Sequence, residues 1–109
     1  MMEYDERYSD AELSHIIRQG LIYMCACPAQ VAQSIQQLRQ VYRYQLACLS
    51  SQNVDGLVHQ TIANSTVEAH AVLQTCLDAV IELEKWDRQT LTMPANLRER
   101  QMRDILTDD

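Results

Sequence analysis

The chain has 109 residues, a formal charge of −6, and only two glycines and two prolines. Average usage would place about a dozen such residues here, so the turns that a β-rich fold needs are missing and an all-α fold is expected. The acidic balance argues against nucleic acid as a partner, because duplex binding rests on neutralising phosphates.

The opening MMEYDERYSD lacks the basic-then-apolar order of a secretory signal. The most apolar stretch, GLIYMCACPAQVA, is too short to span a bilayer and runs on into Gln and Arg. A single cytoplasmic domain over 1–109, without a membrane partner and with reduced cysteines, is the expectation.

The first helix has a marked start. Ser9 and Glu12 stand at capping-box spacing, and Leu13, Ile16, Ile17, Gly20, Leu21 and Met24 recur on one face, which predicts a helix from about Asp10 to Cys25. Residues 1–8 are expected to fray, with Tyr4 and Tyr8 as anchors.

The second helix is expected over 28–49, with Cys27 as its N-cap and Pro28 in the first turn. Val31, Ile35, Leu38, Tyr42, Gln45 and Leu49 alternate steps of four and three, a heptad seam with one polar member. Val41, Tyr44 and Cys48 form a weaker stripe, and Arg39 and Arg43 fall on the remaining face.

A loop at 50–56 leads to a third helix from Val54–Leu57 towards Trp86. Its apolar positions include Val58, Ile62, Ala69, Leu73, Cys76, Leu77, Val80 and Leu83. Ser65 and Glu68 repeat the capping-box spacing, which raises the prospect of a kink near Asn64. Beyond it lies a tail, 88–109, with a short helix capped by Thr92, with Pro94 in its first turn.

Charge is distributed unevenly. Between Gln19 and Leu77 only Arg39, Arg43, Asp55 and Glu68 are charged. An exposed helix in a monomer usually carries charge on its outer face, so uncharged flanks suit surfaces that a second subunit covers.

Three groups of residues could carry chemistry. CACP (25–28) puts Cys27 at a helix N-terminus, where a thiolate is stabilised. Folding the second and third helices into a hairpin brings Cys27 towards Asp78, within a turn of Cys76. Cys25, Cys27 and Cys76 are therefore the candidate ligands for a soft metal ion, although a closed site needs a fourth. The bland reading of these thiols is core packing.

His59 and His70 are about 16 Å apart along a continuous helix and read as polar positions on a partly solvated face. Glu12 and His15 have the Glu-x-x-His spacing of di-iron bundles, but the motif occurs once and its Glu has a capping role. No catalytic residue and no organic cofactor is assigned.

Together these features predict a small antiparallel bundle with a long central hairpin, the first helix packed across it, and a core of Leu38, Tyr42, Leu46, Leu49, Ile62, Leu73, Leu77 and Val80. The expected function is a non-enzymatic interaction or adaptor module that forms a homodimer, with a further protein partner open. The alternative is a small thiol-based metal-binding or redox-sensing protein built on the CxCP corner.

Overall fold

The computed structural model describes residues 6–23, 27–49 and 56–94, with backbone alone over 21–23. The described chain is helical, with α1 at Asp10–Tyr23, α2 at Cys27–Leu49 and α3 at Gly56–Leu83. Among the described residues the one β-type pairing is the isolated bridge between Asp87 and Thr92. The helices pack as a bundle in which α2 lies against both α1 and α3.

The start of α1 follows the capping-box expectation atom for atom. Glu12 N donates to Ser9 Oγ at 3.0 Å, and Ser9 N donates to Glu12 Oε1 at 2.8 Å. Two amides that the first turn leaves without helical partners are thereby satisfied. Ser14 then accepts from Gln36 Nε2 at 3.1 Å, a polar tie from α1 to α2.

Helix lengths decide where the core sits. At about 1.5 Å per residue, α1 is about 21 Å long, whereas α2 and α3 reach about 35 and 42 Å. One short helix cannot cover two long ones. The core therefore gathers at one end, from Leu13 and Ile16 on α1, Ala32 and Ile35 on α2, and Leu77 and Ile81 on α3. Each fully buried leucine or isoleucine there contributes roughly 1.5–3 kcal/mol relative to exposure.

Residues after α3 close this end. Trp86 N donates to Ile81 O at 3.0 Å and Lys85 N to Glu82 O at 3.1 Å, the two bonds of a Schellman cap, with Lys85 in the left-handed region at φ 60°. Trp86 is buried, as expected of a residue covering a bundle edge, and its Nε1 donates to Glu84 Oε1 at 3.0 Å. Asp87 Oδ1 accepts from the amides of Gln89 and Thr90 at 2.8 and 3.0 Å, which folds the chain back. Leu91 and Met93 thereby return to the core, and Met93 N donates to Gln19 Oε1 at 3.3 Å.

Several expectations need correction. The seam on α2 runs through Ala32, Ile35, Arg39 and Gln45, rotated from the one read through Val31 and Leu38. On α3 the buried positions are Ala63, Thr66, Val67, His70, Gln74, Leu77 and Ile81, and all but Thr66 follow steps of four and three. Leu46 and Ile62, expected in the core, are exposed because α1 does not reach them. The Ser65–Glu68 spacing does not interrupt α3, which runs unbroken past Asn64. The frayed start expected over 1–8 does not extend to Arg7 and Tyr8, whose amides both donate to Gln74 Oε1, at 2.7 and 3.3 Å. The loop at 50–55 and the short helix expected beyond Pro94 lie outside the described residues.

Candidate functional site

Two features stand out: a buried polar node on Arg39, and an uncharged outer face on α3. The first follows from the seams just described. Both pass through polar residues midway, so where α2 crosses α3 a guanidinium, an imidazole and a carboxamide face one another away from water. Buried polar groups without partners are costly, and here Arg39 serves as a donor to both His70 Nε2 and Gln74 Oε1.

Arg39 has no solvent exposure. Its Nε donates to His70 Nε2 at 3.0 Å, Nη1 to Asp10 Oδ1 at 2.8 Å, and Nη2 to Tyr8 O at 2.5 Å and Gln74 Oε1 at 3.2 Å. Glu6 Oε1 stands 3.4 Å from Nη1. One side chain thus joins α2, α3 and the segment entering α1. A guanidinium only donates, so His70 Nε2 must present its lone pair, and the neutral ring carries its proton on Nδ1.

The node continues outward on both sides. Asp10 Oδ2 also accepts from Arg43 Nη2 at 2.7 Å. The Arg39 and then the Arg43 hydrogen bonds hold the Asp10 carboxyl below its usual range, against a smaller opposing effect of burial. Towards the tail, the Tyr8 hydroxyl donates in a short hydrogen bond to Asp78. Arg88 Nη1 donates to Asp78 Oδ1 at 3.0 Å and to the Tyr8 oxygen at 3.2 Å, and Arg7 Nη1 to Asp78 Oδ2 at 3.3 Å.

Burial and the adjacent Asp78 push the Tyr8 hydroxyl up to about 12. Burial would raise Asp78, but the hydrogen bonds from Tyr8, Arg88 and Arg7 outweigh it and hold that carboxyl low. These groups hold one another across α2, α3 and the segment entering α1, so the arrangement fastens elements together. Its chemistry is that of a clamp.

A second α2–α3 contact lies further along. His59 Nδ1–H donates to Gln45 Oε1 at 2.6 Å, so later positions on α2 meet earlier ones on α3. His70 is thus corrected from a partly solvated position to a fully buried one, because it lies on the inner seam. Arg39, expected with Arg43 on the remaining face of α2, is buried and belongs to the same node. The available signal was the inner repeat of α3 itself, whose polar members His70 and Gln74 require a polar partner opposite.

None of the hydrogen bonds described for this node involves a candidate ligand. Cys27 is exposed at the start of α2, Cys76 is half-buried on α3, and Cys25 lies outside the described residues. Among the described residues no three His, Cys, Asp or Glu side chains are grouped to hold a metal ion. Glu12 serves the capping box. No helix among the described residues is long and apolar enough to cross a membrane.

The outer face of α3 is the second feature. From Val58, steps of four and three lead through Ile62, Ala69 and Val72 to Leu83, and none of the eight positions on this repeat is charged. It lies roughly 150° around the helix from the inner seam. Val58 is 50 % exposed, Val72 67 % and Leu83 80 %. On α2, Val41 and Tyr44 are also exposed.

No family model matches the chain, and neither a curated protein nor a solved structure matches it.

Proposed function

We propose that this chain is a non-enzymatic helical interaction module that self-associates, most simply as a two-fold dimer. In this reading α2 and α3 form one long hairpin, α1 and the turn after α3 lock one end of it, and the outer flank is the working surface. The observation that carries the reading is the uncharged heptad on the exposed side of α3. A helix with one buried seam needs only one apolar stripe, and a second stripe in water is unfavourable unless something covers it.

Sedimentation velocity over a concentration series tests the reading. A weight-average mass that rises towards twice that of the chain is the expected outcome. A monomer at every concentration overturns it.

The exposed position of Cys27 at a helix N-terminus favours one other reading, thiol-based binding of a soft metal ion by Cys25, Cys27 and Cys76. Titrating reduced protein with Zn(II) beside a Cys25→Ser/Cys27→Ser variant tests it. Tight stoichiometric binding that the variant loses is the supporting result.

A further inference from the structure

Resting on the self-association reading, we infer that the dimer forms by antiparallel pairing of α3 with α3 of a second copy, about a two-fold axis passing between Ala69 and Val72. The argument begins with side-chain size along the outer repeat. Two copies of a heptad stripe can pair in parallel or antiparallel register. In parallel, equal positions meet: Ile62 faces its own copy, and so do the small Ser65 and Ala69, which leaves crowded and hollow layers in turn. In antiparallel register two of the four kinds of layer set a larger side chain against a smaller one. Ile62 falls against the partner's Ala79, Ala69 against the partner's Val72, Ser65 against the partner's Cys76, and Val58 against the partner's Leu83. The Ile62–Ala79 and Ala69–Val72 layers fill space more evenly than the corresponding self-pairs would.

Charge points the same way. Glu68 and Glu82 flank the stripe on one side and are both exposed. An antiparallel pair sets them opposite the partner's Thr75 and Thr61, so no two carboxylates face each other. It also places the acidic C-terminal turn of each α3 beside the N-terminal turn of the other, where the helix dipoles attract. Parallel pairing would gather both acidic ends together.

Area fixes the strength. The stripe from Val58 to Leu83 is about 37 Å long, and a helix face about 12 Å wide gives on the order of 450 Å² per copy. The total, about 900 Å², falls in the range of weak, reversible interfaces. The surface fits an exchanging dimer.

Disulfide trapping reads this register directly. In a Cys25→Ser/Cys27→Ser/Cys48→Ser background only Cys76 remains, and antiparallel pairing holds the two copies of Cys76 about 16 Å apart. Adding Ser65→Cys places the introduced thiol against the partner's Cys76. Oxidation with diamide, which takes up the two hydrogens as each S–S bond forms, is then expected to give a covalent dimer as the dominant product. Its linking peptides join position 65 to Cys76. The two positions cannot bridge within one chain, since eleven residues of helix separate them. Position 65 is exposed, and circular dichroism checks that helicity is unchanged.

Val72→Glu supplies a second reading, because it places two carboxylates close to the two-fold axis. It is expected to raise the dimer dissociation constant at least about tenfold with helicity intact. Dimerisation that persists with Cys76 joined to Cys76, or with no linkage through position 65 and no response to Val72→Glu, overturns the α3 pairing and leaves self-association standing. A monomer at all concentrations overturns both.

Discussion

Arg39 shows at the scale of one residue how a small helical bundle holds a cation in its interior. Burial of an ion costs several kcal/mol unless hydrogen bonds replace its water. A guanidinium has donors on three nitrogens in a fixed plane, and here all three are used, towards His70, Asp10, Tyr8 O and Gln74. Asp10 keeps access to water, its side chain being 56 % exposed, so only one partner of the pair is fully desolvated. Truncation would leave Tyr8 O, the Gln74 oxygen and His70 Nε2 without this donor. Arg39→Ala is therefore expected to lower the unfolding free energy by about 3–5 kcal/mol. Arg43→Ala, one turn away and holding the same Asp10 from solvent, should cost less than about 1 kcal/mol. Urea denaturation of the two variants beside the parent separates them, and equal small losses would show that Arg39 is not the node.

At the scale of the element, the ends of the helices carry more specific information than their middles. The cap after α3 requires a left-handed residue, and Lys85 occupies it at φ 60°. A side chain with a Cβ pays about 1 kcal/mol or more to sit there, whereas glycine does not. Lys85→Gly is expected to raise stability by about 0.5–1 kcal/mol after glycine's larger unfolded-state entropy is counted. Lys85→Ala keeps the Cβ and should show no such gain. Thermal unfolding of both variants makes the comparison. The two caps also show what was legible. Ser9 and Glu12 announce the start of α1 because a capping box is local, whereas nothing in Lys85 announces a stop. The third helix was legible in type and extent, but its buried side was not. Its outer stripe reads as the more apolar, and the inner one is chosen by partners at Arg7, Tyr8 and Arg39, which lie 31 to 67 residues away in sequence. Periodicity gives the stripes; long-range polar contacts decide between them. The short reach of α1, by contrast, is what moved the core from Leu46 and Ile62 to Leu13, Ile35 and Ile81.

For the whole molecule, the clamp makes stability a function of pH with two limbs of opposite sign. Asp10 and Asp78 both titrate lower in the folded chain than the ordinary 3.8. A lowered carboxyl contributes fully above its unfolded value, and that contribution is lost as pH falls through the folded one. Tyr8 behaves inversely: its folded value, about 12, lies above the ordinary 10.0. The protonated hydroxyl is the form the fold prefers, so its contribution is complete below the unfolded value and disappears as pH rises from 10.0 towards 12. The Tyr8 hydroxyl and Asp78 form one contact, so both limbs act on the place where the entry to α1 meets α3. Unfolding free energy should therefore decline in acid and decline again in strong alkali. Tyr8→Phe discriminates this account from general charge repulsion at high pH. The variant keeps the ring in the core and gives Asp78 no phenol to hold, so it should be less stable than the parent near neutrality and lack the tyrosine share of the alkaline decline. Urea denaturation at stepped pH measures both. An alkaline decline as steep in Tyr8→Phe as in the parent would remove Tyr8 from the clamp and assign the pH response to the net charge of the chain.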